Sequence, residues 1–457
     1  MITEKTKQAL IDIVGFERYL DKAEDCISYS YDAFVEESVP HAVLLPGCTE
    51  DISRILAVAN QEGIPVTARG SGTSLCGAPI PVQKGLVLSF TRMNQILEIN
   101  TRDRYAIVQP GVINGHLQRE LAKEGFFYPP DPASFQVSSI GGNIAQNAGG
   151  PRCLKYGVTG DYILALEVVL ASGKVLRVGS RNVKDVTGYN LKSLFCGSEG
   201  TLGIVSEATL RVSPLPEAYR TILAVYNDLE ECANTVADII GSGIVPTALE
   251  LMDSQTVNAL EDSADYGLPR AAQGVLIIEV DGTEEGVEKE MKAIEEKARA
   301  QGAVEVKKAR TQAERDDLWK ARRSCYGVFA RLAPNCIVED ATVPVSQIPG
   351  MIRGMKAIFE KYELKACILA HAGDGNMHPV ITTDLNDPQQ FERVEKATRE
   401  VFDLAISLGG TLSGEHGIGL GKVPYLDMMI NQDAQAIMGS IKQSFDPKGI
   451  LNPGKFV

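Results

Sequence analysis

Three of the five histidines fall in two short motifs of the C-terminal half, HAGDGNMH (His371 to His378) and SGEHGIG (Ser413 to Gly419). Imidazole is a metal ligand and a base near neutral pH, so histidines grouped with carboxylates carry chemical potential. Asp374-Gly375 favours a two-residue type I′ turn between the strand-like runs Cys367 to Ala370 and Pro379 to Thr382. Counted outward from that turn, Gly373 faces Asn376, Ala372 faces Met377 and His371 faces His378. Directly opposed residues share one face with Cβ atoms roughly 4.5–5.5 Å apart, which lets two imidazoles meet one metal ion. A hairpin with two exposed or mutually hydrogen-bonded histidines fits the same letters, and the hairpin alone leaves both readings open. The Glu415-His416 pair, flanked by Gly414 and Gly417, adds a carboxylate and a third ring. Its flanking glycines permit a turn that aims both side chains at one site.

Two glycine-rich stretches dominate the N-terminal half: ARGSGTSLCGAP (Ala68 to Pro79) and PPDPASFQVSSIGGNIAQNAGGPRCLKYG (Pro129 to Gly157). Glycines let backbone N–H groups converge on an anion, and Ser71, Thr73, Ser74, Ser138, Ser139 and Asn143 add short polar side chains. A pyrophosphate suits such a cradle. Neither stretch closes with the Gly-Lys-Ser/Thr of a Walker loop. Neither is the Rossmann G-x-G-x-x-G, because Leu75 stands where the third glycine belongs. On glycine content alone, tight turns between strands are the favoured explanation.

Alternating short elements must position these loops. Thr49 to Asn60 reads as a helix with Thr49 as its cap, Glu50 and Asp51 in the first turn, and Ile52, Ile55, Leu56 and Ala59 on one face. Gly63 ends it and Pro65 to Ala68 begins a strand. Gly85 to Phe90, Tyr105 to Gln109, Ala165 to Leu170 and Lys174 to Val178 are further β-rich runs. Beyond a boundary at Pro214 and Pro216, the strand-like Thr221 to Tyr226, Val275 to Val280 and Ala303 to Val306 alternate with the helical Leu229 to Ile240 and Glu284 to Gln301. That order predicts an α+β domain with an antiparallel sheet. Asp433 to Phe445 is helical, and Pro447, Gly449, Pro453 and Gly454 break it.

At 457 residues, two or three domains are expected. A 44% hydrophobic and 23% charged composition excludes a disordered chain, and a net charge of −14 argues against nucleic acid or an anionic membrane as partner. Any anionic substrate then needs local positive charge. The charged N-terminal stretch and the lack of a long apolar run lead us to expect a cytoplasmic protein with no transmembrane segment. Nine scattered cysteines, none in a CxxC pair, fit reduced thiols and provide no iron–sulfur cluster.

Residue order adds what composition does not. PVTARGSGTSLCGAP, PPDPASFQVSSIGGNIAQNAGG, GYNLKSLFCGSEGTLGIVSEATLRV and the terminal FDPKGILNPGK span most of the chain. They resemble the FAD-binding family of the vanillyl-alcohol oxidase type, in the branch of glycolate oxidase flavoprotein subunits and D-lactate dehydrogenases. The resemblance implies an α+β fold: a two-subdomain FAD-binding domain over residues 1–215, an antiparallel-sheet cap over 216–405, and a helical segment over 406–457 completing the site. It implies that Arg69, Gly70, Ser71, Gly72, Thr73, Ser74 and Gly77, with Ser138, Ser139, Gly141, Gly142 and Asn143, line the pyrophosphate. Pro130, Asp131, Pro132, Ala148, Gly149 and Gly150 would lie near the ribityl chain and isoalloxazine. Glu199, Gly200 and Ile204 would meet the ribose and adenine, and Asn452 the flavin. Relatives with covalent FAD often use a histidine in the first loop. Thr73 stands there, and His41 and His116 lie elsewhere, so non-covalent FAD is expected.

HxGDGNxHP and SGEHGIG resemble signatures of the D-2-hydroxy acid dehydrogenases of this family. They imply that His371, His378 and Glu415 bind a divalent metal and that His416 is the catalytic base. Two nitrogens and a carboxylate oxygen suit zinc, with manganese or ferrous iron as alternatives. Asp374 is read as a turn residue. Arg322, in LWKARRS, resembles the arginine that grips the substrate carboxylate. Its competing reading is a solvated basic face shared with Lys320 and Arg323. Relatives that take a dicarboxylate carry a lysine near the position of Val338, so a monocarboxylate such as D-lactate or glycolate is expected. Electrons would pass to a protein partner, an electron-transferring flavoprotein or an iron–sulfur subunit. The alternatives are a redox-neutral transferase resembling alkyl-dihydroxyacetone-phosphate synthases, a direct oxygen-using oxidase and a non-enzymatic FAD carrier.

Overall fold

The computed structural model describes residues 2–456 and divides into two compact units. One comprises residues 2–149, 158–215 and 415–456, and the other residues 150–157 and 216–414.

The first unit holds two sheets. In the four-stranded sheet, Tyr19–Leu20, Ala42–Leu44, Leu86–Ser89 and Val66–Arg69 lie in that order, the last three parallel. The helix Thr49–Glu62 supplies the crossover from Ala42–Leu44 to Val66–Arg69, which run parallel on either side of Leu86–Ser89. Its Ile52, Ile55, Leu56 and Ala59 are fully buried against Leu44, Val66, Leu86 and Leu88. Gly63 ends the helix at φ +66°, a left-handed conformation that glycine adopts without Cβ strain. The N-cap differs from expectation. Cys48 occupies it, and the Thr49 hydroxyl donates instead to Glu167 at 2.7 Å, a long-range partner outcompeting the local one. The second sheet is antiparallel, ordered Ile96–Asn100, Tyr105–Val108, Ile204–Arg211, Ile163–Val169 and Val175–Gly179. The chain end returns to the first sheet, where Val66 N donates to Ile450 O and Asn452 N to Val66 O, both at 2.8 Å.

The second unit is built on an eight-stranded antiparallel sheet. Its order is Glu305–Lys308, Ala218–Tyr226, Gly274–Gly282, Ala248–Asp253, Lys365–His371, Asn376–Thr383 and Asn335–Val338, with Ala341–Thr342 also paired to Asn376–Thr383. The edge strand expected at 303–306 lies two residues later. The helix Gln312–Phe329 packs on this sheet through Trp319, Cys325, Val328 and Phe329, against Val275, Ile277, Leu369 and Val380.

The hairpin register corrects the sequence reading. His371 pairs with Asn376 and Leu369 with His378, so the loop has four residues, 372–375, not two. Hydrogen bonds to flanking strands pull these residues out of the ladder: Gly373 N donates to Leu249 O, and Gly375 O accepts from Val343 N. The shift is two residues, an even number, so both histidines keep the same face while becoming diagonal neighbours.

Candidate functional site

Glu250 in the strand Ala248–Asp253 stands directly opposite His371. Its carboxylate oxygens lie 2.8 and 2.9 Å from His371 Nδ1, and Arg322 Nε donates to Oε2 at 2.7 Å. Glu250 is 0% exposed, and His371 and Arg322 are buried with it. Burial pushes the carboxyl up, but the charges of His371 and Arg322 and their hydrogen bonds outweigh it and hold Glu250 below the usual carboxylate range. An ionised carboxylate only accepts, so the His371 proton sits on Nδ1, and Nε2 is the nitrogen a metal would take.

Arg322 reaches this point because its helix presents Trp319, Arg322, Cys325 and Phe329 on one buried face. Lys320 and Arg323 are exposed, so Arg322 does not share their solvated face. Seven residues earlier, the partly buried Arg315 forms a second pair with a buried carboxylate on the same side of the helix. It donates to Glu279 at 2.7 and 2.8 Å, and Glu279 also accepts from Trp319 Nε1 and Thr221 Oγ1.

The rings of His371 and His378 meet edge to face, 5.1 Å apart. His378 Nδ1 donates to Glu339 O at 3.3 Å and lies 3.8 Å from Asp340 Oδ1. Asp340 is 0% exposed and accepts from Ser413 Oγ at 2.7 Å, while its backbone carbonyl accepts from Gly414 N at 3.1 Å. The segment 411–414 is thus tied along Ala341–Thr342, with Thr411 and Thr342 exchanging backbone hydrogen bonds of 2.8 and 3.1 Å. At Gly414 a Cβ would overlap Thr342 Oγ1 and come within 2.7 Å of Asn376 Cγ, so only glycine fits. Glu415 and His416 are the next two residues of the chain, and a trans peptide advances Cα by only about 3.8 Å. Two imidazoles whose Nδ1 groups are held by oxygen acceptors, beside a buried carboxylate, form a donor set that fits a divalent cation. The motifs singled out neither Glu250 nor Asp340. The available signal for Glu250 was a lone carboxylate within the apolar run ALELM.

Beyond His416 the chain is anchored in the first unit. Ile418 N and Gly419 N donate to the Glu199 carboxylate at 2.7 and 3.0 Å, and Leu420 N donates to Cys76 O at 2.7 Å. Burial raises the Glu199 pKa to about 7, against the lowering effect of those amides and of Lys455 and Lys422. The Glu199 side chain therefore grips the loop backbone. Asn452 is similarly engaged, donating to Ala78 O at 3.0 Å and Glu199 O at 2.8 Å.

The two glycine-rich loops meet in the first unit. A Cβ on Gly70 would overlap Ser139 Oγ and lie 3.4 Å from Gly142 N. Ser139 caps the helix Ile140–Gln146, accepting from Gly142 N at 3.3 Å. Ser138, Asn143, Asn114 and Pro130 share a buried network in which Asn143 Nδ2 donates to Ser138 Oγ, and Asn114 Nδ2 to Asn143 Oδ1 and Pro130 O. Ser71 is exposed, Gly72, Thr73, Ser74 and Asp131 are partly so, and Gly77, Pro132, Ala148 and Gly149 are buried. Gly200 and Ile204 flank the start of the strand Ile204–Arg211. Arg69 is buried with Nη1 lacking a hydrogen-bond partner among the described residues, and burial lowers its pKa against the opposing charge of Asp32. A buried guanidinium N–H without an acceptor calls for an anion, and a pyrophosphate beside the Gly70 and Ser139 loops fits it. His41 Nδ1 accepts from Gly85 N and His116 lies on an exposed helix face, leaving both outside these sites.

A profile described as "FAD binding domain" matches residues 40–179, and one described as "FAD linked oxidases, C-terminal domain" matches residues 215–456. The chain is 48% identical over 456 residues to the glycolate oxidase subunit GlcD of Bacillus subtilis, covering 100% of this chain and 97% of that one. It is 35% identical over 420 residues to a D-lactate dehydrogenase of Archaeoglobus fulgidus, covering 91% of each. Among solved structures, p-cresol methylhydroxylase aligns with a TM-score of 0.83 at 19% identity, covering 99% of this chain and 97% of that one. Alkyldihydroxyacetonephosphate synthase aligns at 0.78 with 18% identity, covering 99% and 86%. Those two likenesses carry the fold alone. Among the described residues no helix is long and apolar enough to cross a membrane. With both halves matched and a near full-length relative at 48% identity, the chain belongs to the FAD-linked oxidase family and is a flavoprotein oxidoreductase of the vanillyl-alcohol oxidase type.

Proposed function

We propose that the protein oxidises a D-2-hydroxy acid, D-lactate or glycolate, to the 2-oxo acid, using non-covalent FAD and a divalent metal and passing electrons to a protein partner. The observation that carries this reading is the convergence of Arg322 and His371 on the buried Glu250. It sets a carboxylate-binding guanidinium beside a metal-type imidazole. The names of the relatives, glycolate oxidase subunit and D-lactate dehydrogenase, favour the same substrate class. The lack of a lysine near Val338, where dicarboxylate-handling relatives carry one, favours a monocarboxylate.

Arg322 grips the substrate carboxylate, with its Nε committed to Glu250. His371, His378 and Glu415 hold the cation, with Asp340 beside His378 as a further oxygen donor. His416 takes the hydroxyl proton. When bound, FAD supplies the two-electron acceptor and the metal a Lewis acid at the substrate hydroxyl. Thr73 in the first loop offers no imidazole for covalent attachment, which favours dissociable FAD.

Anaerobic titration with D-lactate, L-lactate, glycolate and D-2-hydroxyglutarate tests the assignment through the flavin spectrum. D-lactate or glycolate is expected to bleach the flavin, and His416→Asn to abolish bleaching while FAD stays bound. Bleaching at an unchanged rate in that variant removes His416 as the base. Silence with every acid replaces the dehydrogenase by a redox-neutral transferase, and stoichiometric peroxide under air replaces the protein acceptor by oxygen.

A further inference from the structure

We propose that Glu250 is the positioning residue of the active site, holding the metal-binding histidine and the substrate-binding arginine in one geometry. The inference rests on the metal reading above and goes beyond it, because no motif included Glu250.

The geometry is specific. Glu250 and His371 are a direct cross-strand pair, so their Cβ atoms lie roughly 4.5–5.5 Å apart on one face, and the carboxylate meets Nδ1 through both oxygens. Arg322 arrives from the helix Gln312–Phe329 and engages the same carboxylate through Nε, which fixes the plane of the guanidinium. With 0% exposure, Glu250 has no water to share its negative charge, and these two groups carry the compensation. A carboxylate on Nδ1 selects the tautomer, sets the ring orientation and raises the basicity of Nε2 toward a cation.

The other buried carboxylate facing this helix serves as the contrast. Glu279 is bound by Arg315, Trp319 and Thr221, all ordinary docking contacts. Glu250 differs in that one of its partners is a histidine of the candidate metal set. Were Glu250 merely another docking contact, Glu250→Gln and Glu279→Gln would lower stability and leave metal affinity alone.

The decisive experiment measures zinc affinity of the FAD-loaded full chain by competition with a chromophoric chelator, in the wild type, Glu250→Gln and Glu279→Gln. Zinc is expected to bind about 10–100-fold more weakly in Glu250→Gln, with FAD content unchanged, and with wild-type affinity in Glu279→Gln. Wild-type affinity in a folded Glu250→Gln overturns the proposal, as does equal weakening in both variants. Selective 15N-histidine labelling of the wild type gives a second readout that needs no variant. His371 is expected to carry its proton on Nδ1, with the zinc-induced shift on Nε2, and a zinc-induced shift on Nδ1 overturns the proposal. Should Glu250→Gln not fold, this spectrum decides. A wild type that binds no zinc, manganese or ferrous iron refutes the metal reading instead. In that case a hydrogen-bonded Nδ1–H on His371 upholds the positioning role and an Nδ1 without a proton refutes it.

Discussion

Replacing Gly414 with alanine perturbs the chain immediately before the Glu415-His416 pair without altering either of those side chains. The backbone at Gly414 is not in the left-handed region, so alanine meets no torsional barrier there. What it meets is matter: its Cβ would overlap Thr342 Oγ1 and approach Asn376 Cγ to 2.7 Å. Van der Waals separation of carbon atoms is about 3.5–4.0 Å, so the segment must retreat by roughly 1 Å. Overpacking of this kind costs about 1–3 kcal/mol of stability. A displacement of that size at reacting groups costs on the order of 100-fold in rate, about 2.7 kcal/mol of transition-state stabilisation. The chain beyond His416 is bonded to Cys76 of the loop at residues 69–77, so flavin content is measured beside the rate to separate slowed chemistry from lost FAD. Stopped-flow reduction with D-lactate or glycolate, read beside the flavin-to-protein ratio, measures the effect. Flavin reduction at the wild-type rate in Gly414→Ala would refute the argument that the Asp340–Gly414 contact sets the positions of Glu415 and His416.

Glu199→Gln tests the loop anchor through pH. The native carboxyl is raised from 4.5 to about 7, so the native state holds its proton more tightly than the unfolded chain does. Stability from this group is therefore greatest below about pH 4.5 and is lost as pH rises through about 7. The difference amounts to at most about 3 kcal/mol. The Gln variant should match the wild type near pH 4.5 and melt higher above pH 7, and parallel melting curves across that range would contradict the assignment. Metal removal by a chelator should stop substrate-driven flavin reduction while leaving FAD bound. Readdition of zinc, manganese or ferrous iron should restore it, and full activity after verified removal would eliminate the metal.

Much of the fold follows from local rules. The 3.6-residue spacing of Ile52, Ile55, Leu56 and Ala59, ended by Gly63, marks a helix in the letters themselves and in the structure. The strands Leu86–Ser89 and Gly274–Gly282 are similarly legible, because apolar β-branched runs satisfy one preference at both levels. Errors arose where a distant partner outcompeted a near one. Thr49 gave its hydroxyl to Glu167, over a hundred residues away. The Asp374-Gly375 turn widened because Leu249 and Val343 took backbone bonds of Gly373 and Gly375.

The site divides along the same line. Sequence alone marked His371, His378, Glu415 and His416 as chemistry, since such residue types cluster in short motifs; the family resemblance added Arg322 and gave the two glycine-rich loops their pyrophosphate. Only the tertiary structure decided how several of them are held. Glu250 meets His371 across a strand pair and Arg322 across a helix–sheet contact, and Asp340 holds the approach to Glu415 through Ser413 and Gly414. Those partners are separated by 121, 72 and 73 residues along the chain, so no local periodicity links them. Their energetic weight comes from burial, which makes an uncompensated charge costly and so dictates which groups must meet, and burial is a property of the assembled fold.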